Sequence, residues 1–264
     1  MSLSRLAARS IRGTAILAAL FSLAPLSLSA LQAPTQNVRV AAAADLQPVL
    51  PDLLHDFEKQ SGLHVDVSYG PSGTLTTQIL NGAPFDLFLS ADMGYPARIA
   101  AAGLSGPPVP YARGTLVLWA RKDSPVQPLT LEALSSAALR HLAVANPEHA
   151  PYGRAAYAAL NHMQLLQSLQ PKLVIAENIA QAAEFAESGN ADAGLISLTA
   201  ALTPRFQSEG TYVLLLPESY PSIVQGAVVL TKSAGASAAL RFLEFLLSKP
   251  EQAALRARGL MAPN

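Results

Sequence analysis

Three short stretches combine small residues, hydroxyls and helix-start signals in a way that could hold an anion. The first is Ala43-Ala44-Asp45-Leu46, where small side chains let a ligand approach the backbone. The second is Gly70-Pro71-Ser72-Gly73-Thr74, where two glycines free the backbone and Ser72 and Thr74 supply hydroxyls. The third is Pro147-Glu148-His149-Ala150-Pro151-Tyr152-Gly153, with a proline at a helix start and a tyrosine at its mouth. Unpaired N–H groups and the positive dipole end of a helix start stabilise oxyanions without any basic side chain. Each stretch also has a plain structural reading: Asp45 as a helix cap, Ser72 or Thr74 as a cap at a turn, Tyr152 packed at a surface. Local sequence leaves both readings open.

Other chemistries fit less well. No lysine follows the glycines of the second stretch, so it is not a phosphate-binding Walker loop. It also lacks the G-x-S-x-G spacing of a nucleophile elbow. A hydrolase using Ser72 would need a base; His149 is the only histidine in a candidate loop, and no acid partner for it is evident. The chain has no cysteine, which removes disulfides, thiolate metal sites and lipid attachment through cysteine. His55, His64, His141, His149 and His162 show no metal-ligand spacing, so no cation ligand and no cofactor are expected. Asp86 and Asp92 flank a strand and are expected to cap or pair, and Trp119 is expected in the core. Lysine plus arginine equals aspartate plus glutamate, so the basic excess of a nucleic-acid binder is missing.

The elements that must position these turns alternate. Val38–Ala42 reads as a buried strand, followed by a helix capped by Asp45 and running through Leu46, Val49, Leu50, Leu53, Leu54 and Phe57 to a stop at Gly62. Strands are expected at Val65–Tyr69, Leu87–Ser90, Leu116–Ala120, Leu142–Ala145, Leu173–Ala176, Gly194–Ser197, Val213–Leu216 and Val224–Leu230. Helices are expected from Thr74 to about Asn81, Met93 to Ala102, Tyr152 to about Leu166, Asn178 to Gly189, Ala236 to Leu247 and Glu251 to Ala257. Such alternation predicts an α/β protein with mostly parallel sheets flanked by helices. The length suits two lobes of roughly 100–150 residues better than one oversized sheet. The lobes are expected at 37–116 plus 226–264 and at 117–225, joined by two strand-like connectors. That is a hinged clamshell, with ligand at the strand ends in the cleft. Residues 1–30 have the layout of a signal peptide: Arg5, Arg9 and Arg12, an apolar run from Ala15 to Pro25, then small Ser27, Ser29 and Ala30. Export to the periplasm as a soluble, non-lipidated protein is the expectation.

Val40-Ala41-Ala42-Ala43-Ala44-Asp45-Leu46, the Gly70–Leu75 block, Asn81-Gly82-Ala83-Pro84-Phe85-Asp86-Leu87-Phe88-Leu89-Ser90-Ala91-Asp92 and the Asn146–Gly153 block occur in this order. The set resembles the molybdate-binding proteins of ABC transporters over essentially residues 38–264. The resemblance implies the two-lobed (type II) periplasmic binding protein clamshell. It implies capture of molybdate or tungstate by a monomer that meets the membrane only through a permease. Sulfate or phosphate is the alternative ligand. It places Ala44, Asp45, Ser72, Tyr152, Ile179 and Ser197 at the anion, with the metal reaching the site only inside the oxyanion. Two positions depart from the family pattern. Asp45 stands where serine is frequent, and Ser197 stands where some members carry a tyrosine. A carboxylate facing a dianion is repelled. The expectation is therefore that Asp45 turns its side chain to cap its helix and offers only its N–H, while Tyr152 supplies a phenol in place of the missing tyrosine.

Overall fold

The structure is a computed structural model and describes residues 37–263. The segment assigned to a signal peptide, 1–30, lies outside the described residues. Ten strands form two five-stranded sheets. They are β1 (Asn37–Ala43), β2 (His64–Gly70), β3 (Leu87–Ser90), β4 (Val109–Gly114), β5 (Leu116–Arg121), β6 (Leu142–Ala145), β7 (Leu173–Ala176), β8 (Ala193–Ser197), β9 (Gly210–Leu214) and β10 (Ile223–Val229). The helices are α1 (Leu50–Ser61), α2 (Ser72–Leu80), α3 (Gly94–Ala101), α4 (Pro151–His162), α5 (Leu166–Leu169), α6 (Ile179–Glu187), α7 (Leu198–Ala201), α8 (Pro204–Glu209), α9 (Ala236–Leu247) and α10 (Lys249–Ala257).

The first sheet has the order β2-β1-β3-β10-β4 and the second β7-β6-β8-β5-β9. Both are mixed in the same way. β1 pairs parallel with β2 and β3, and β6 pairs parallel with β7 and β8. The antiparallel pairings are those of β10 in one sheet and β5 in the other. Only Thr115 separates β4 from β5, so the chain changes sheets within one extended run, and it returns between Leu214 and Ile223.

Each sheet is buried on both faces. Along β1, Val38, Val40 and Ala42 join a core with Leu50, Leu53, Phe57, Phe242 and Leu246, while Ala41 faces Leu75, Ile79, Phe88 and Ile99. That is the two-residue period of a strand read on its two sides. The second sheet does the same: Leu116, Leu118 and Ala120 face one core, Val117 and Trp119 another. Trp119 is fully buried and donates its indole N–H to the Phe206 carbonyl at 3.2 Å.

Some expected elements differ. The first helix starts at Leu50, not after Asp45; residues Ala44–Leu46 form a 3-10 turn. Pro51 lies in the first turn of α1, where its missing N–H costs nothing; a helix running through from Leu46 would have needed that N–H. β4 was not expected, because Pro110 reads as a strand breaker. It is an edge strand pairing with β10, where a proline is tolerated. The helix expected over Tyr152–Leu166 ends at His162, and Gln164 takes a left-handed conformation (φ 58°) before α5. β9 lies earlier than the expected Val213–Leu216, and α7 and α8 fill the stretch before it.

Candidate functional site

Five chain turns meet at one small cavity. Ala43, Ala44 and Asp45 follow β1; Gly70, Pro71 and Ser72 join β2 to α2; Ala91 follows β3. From the second sheet come Ala150, Pro151 and Tyr152 at the start of α4, and Asn178 and Ile179 at the start of α6. The cavity thus lies at carboxyl ends of strands from both sheets, where α/β folds bind ligands. Three helices, α2, α4 and α6, start at its wall. Their first N–H groups have no acceptor inside the helix, and their dipoles add positive potential. At α6 the Asn178 carboxamide caps Ala180 and Gln181, which leaves the Ile179 N–H out of the cap.

The two lobes touch around this cavity. The Gly73 N–H donates to the His149 carbonyl at 2.9 Å, and the Tyr95 hydroxyl donates to the Glu148 carbonyl at 3.2 Å. Arg154 forms an ion pair with Asp92 and a hydrogen bond to the Tyr95 hydroxyl. Asp92 also accepts from the Tyr95 N–H at the start of α3, so it both caps and pairs. A Cβ on Gly73 would stand 2.6 Å from the Tyr95 hydroxyl and 3.0 Å from the His149 Cα. Glycine is what lets the lobes approach this closely.

Of the six residues expected at the anion, Ala44, Asp45, Ser72, Tyr152 and Ile179 are all among those lining this cavity. Ser197 is not: its hydroxyl caps α7 by accepting from the Ala200 N–H and donates to the Thr199 hydroxyl at 2.8 Å. Ser72 accepts the Ala91 N–H at 3.0 Å and keeps its own hydroxyl proton to donate. The His149 side chain is exposed, lies by Glu148 and makes no hydrogen bond to Ser72, so the Ser72 hydroxyl has no base beside it. Among the described residues, no group of three or more His, Asp or Glu side chains could hold a metal ion.

Asp45 departs from expectation. Its side chain caps no helix. It is 1 % exposed, and its Oδ2 accepts from the Tyr152 hydroxyl at 3.0 Å and from Gln225 Nε2 at 2.5 Å. Gln225 in turn accepts the Tyr111 hydroxyl at 2.7 Å. Burial raises the Asp45 carboxyl from 3.8 to about 6, against the opposing hydrogen bonds from Gln225 and Tyr152. The Tyr152 phenol is pushed well above its ordinary value, first by burial and then by Asp45, so it is a neutral donor. Gly114 makes room for it, since a Cβ there would stand 2.1 Å from the Tyr152 hydroxyl. Gln225 and Tyr111 escaped the sequence reading. The available signal was a lone amide within the otherwise apolar run Ile223–Val229.

Comparison with known proteins fits this geometry. Residues 38–261 match the profile of the bacterial extracellular solute-binding proteins. The chain is 36 % identical over 234 residues to molybdate-binding protein ModA of Azotobacter vinelandii, covering 88 % of this chain and 92 % of that protein. It is 36 % identical over 220 residues to molybdate-binding protein ModA of Rhodobacter capsulatus, covering 82 % and 85 %. The solved structure of the Azotobacter vinelandii periplasmic molybdate-binding protein superposes with a TM-score of 0.81 at 33 % identity, over 86 % of this chain and 100 % of that one.

Proposed function

We propose, on the premise that the chain belongs to the bacterial extracellular solute-binding protein family and within it to the molybdate-binding proteins, that it captures molybdate or tungstate between its lobes and hands it to the permease of an ABC importer. One observation carries this reading: helix starts from both sheets converge on a small cavity whose lining, among the described residues, holds no Lys, Arg or His. A fully deprotonated tetrahedral anion needs donors only, and this wall offers neutral ones. The Ala44, Asp45 and Ile179 N–H groups and the Ser72 hydroxyl are assigned to it, with the Tyr152 phenol beside them giving its proton to Asp45 Oδ2. Hydrogen bonds to a charged group contribute about 1.5–3 kcal/mol each, net of the water they replace.

The lobes are assigned to 37–116 plus 226–264 and to 117–225, closing over the anion as a clamshell. Ser197 acts at one remove, by holding Thr199, whose hydroxyl donates to the Asp45 carbonyl at 2.8 Å. The protein works as a monomer in the periplasm, exported by its N-terminal segment, without cofactor and without turnover. Calorimetric titration of the mature protein with molybdate, tungstate, sulfate and phosphate tests the assignment. Tight binding of the first two is expected; heat only with sulfate or phosphate overturns it.

A further inference from the structure

The Asp45 carboxyl has two oxygens in unequal surroundings. Oδ2 receives two donors, the Tyr152 hydroxyl and the Gln225 amide. Oδ1 is buried and has no hydrogen-bond partner among the described residues. The groups facing this carboxyl come from several elements: Tyr152 from α4, Tyr111 from β4 and Gln225 from β10. The Tyr220 hydroxyl is turned to the Leu116 N–H, which it accepts at 3.2 Å. Thr199, at the start of α7, holds its backbone carbonyl. Among the described residues no Arg, Lys or His side chain hydrogen-bonds or ion-pairs with it.

The two protonation states put different things at the cavity wall. Ionised, Oδ1 is a bare buried charge on a residue that lines the cavity. Neutral, the acid carries its proton on Oδ1, because Oδ2 already accepts two hydrogen bonds. That O–H is then a donor without an acceptor, and an oxyanion oxygen supplies one.

We infer that Asp45 enters the anion complex as the neutral acid and donates its Oδ1–H to the bound oxyanion, so that capture takes up one proton and favours anions that carry none. This rests on the oxyanion reading above. Burial brings the neutral form within reach, since it raises the carboxyl to about 6. Hydrogen phosphate would bring its own O–H against a wall that offers only donors, and is rejected for that reason. Above about pH 6 the protein must gain the proton on binding, and apparent affinity falls about tenfold per pH unit.

The test is calorimetry on the mature protein with micromolar molybdate, from about pH 6 to about pH 9, in buffers of differing ionisation enthalpy. Uptake of about one proton per anion at about pH 8 is expected, with the tenfold slope in affinity. In Asp45→Asn, the amide carbonyl takes over the bonds from Tyr152 and Gln225, and the NH2 stands as a permanent donor in place of Oδ1–H. Its profile loses the slope and its binding takes up no proton. Wild-type binding without proton uptake, or an Asp45→Asn profile as steep as the wild type's, overturns the inference. The proton count is read on the wild type alone, so it does not depend on how the variant folds. Failure of both molybdate and tungstate to bind at any pH sinks the oxyanion reading itself, and this inference with it.

Discussion

Replacing Asp45 by Asn in the anion-free protein isolates what the buried charge costs the fold. The two side chains have the same shape, so packing against Tyr152 and Gln225 is retained. The carboxyl stands at about 6 in the fold and at 3.8 when solvated. Between those values the folded protein holds a proton that the unfolded chain has lost. The stability tied to that proton is fully present below about pH 3.8, falls as pH rises through the interval, and is gone above about pH 6. At about 1.4 kcal/mol per pH unit the interval amounts to about 3 kcal/mol. Asparagine carries no charge and escapes this loss. Its amide N–H and the neutral acid's O–H both lack an acceptor, so the two proteins have similar stability at low pH. The expected result is therefore a similar melting temperature at about pH 4 and a more stable Asp45→Asn at about pH 8. For a chain of this size about 3 kcal/mol corresponds to roughly 6–12 °C. Thermal melts by far-UV circular dichroism in oxyanion-free buffer measure it. Equal melting temperatures at the higher pH, or a gap that does not change with pH, refute the assignment of a buried carboxyl with a raised pKa.

Three further substitutions probe the cleft. Tyr152→Phe removes the phenol that reaches Asp45 across the lobes, and a lost hydrogen bond of about 1–3 kcal/mol lowers molybdate affinity roughly tenfold or more; an unchanged Kd by calorimetry counts against the role. Gly73→Ala drives a methyl against Tyr95 and the His149 backbone. It is expected to lower affinity roughly tenfold and to enlarge the anion-bound particle in small-angle scattering, whereas wild-type affinity shows that the lobes need not approach this closely. Ser197→Ala loses the α7 cap and costs about 1 kcal/mol in denaturant unfolding, with a smaller effect on affinity than Tyr152→Phe. An equal loss of affinity would place Ser197 at the anion directly.

Much of the scaffold was legible because its causes are local. β3, β6 and β7 are short, mainly apolar runs, β1 is one interrupted by Arg39, and Gly62 and Gly103 end helices in the left-handed conformation that glycine adopts freely. The turns at Ser72 and Tyr152 were legible for the same reason: small residues, hydroxyls and a proline mark the starts of α2 and α4. The misreadings also have local explanations. Pro51 delays the first helix, and Pro110 disguises an edge strand whose pairing comes from β10, more than a hundred positions later.

Asp45 separates the two levels. The sequence by itself determined that an acid follows β1 among small residues, next to the turns that build the cavity. It could not determine where that acid points. Its partners Tyr152 and Gln225 lie 107 and 180 positions away: β10 of the same sheet brings Gln225, and α4 of the other lobe brings Tyr152. The raised pKa is likewise a property of the packed molecule, since desolvation depends on what excludes water from all sides and not on neighbours along the chain. Local pattern set the elements and the turns. The tertiary structure decided that the carboxyl meets Tyr152 and Gln225 and caps no helix.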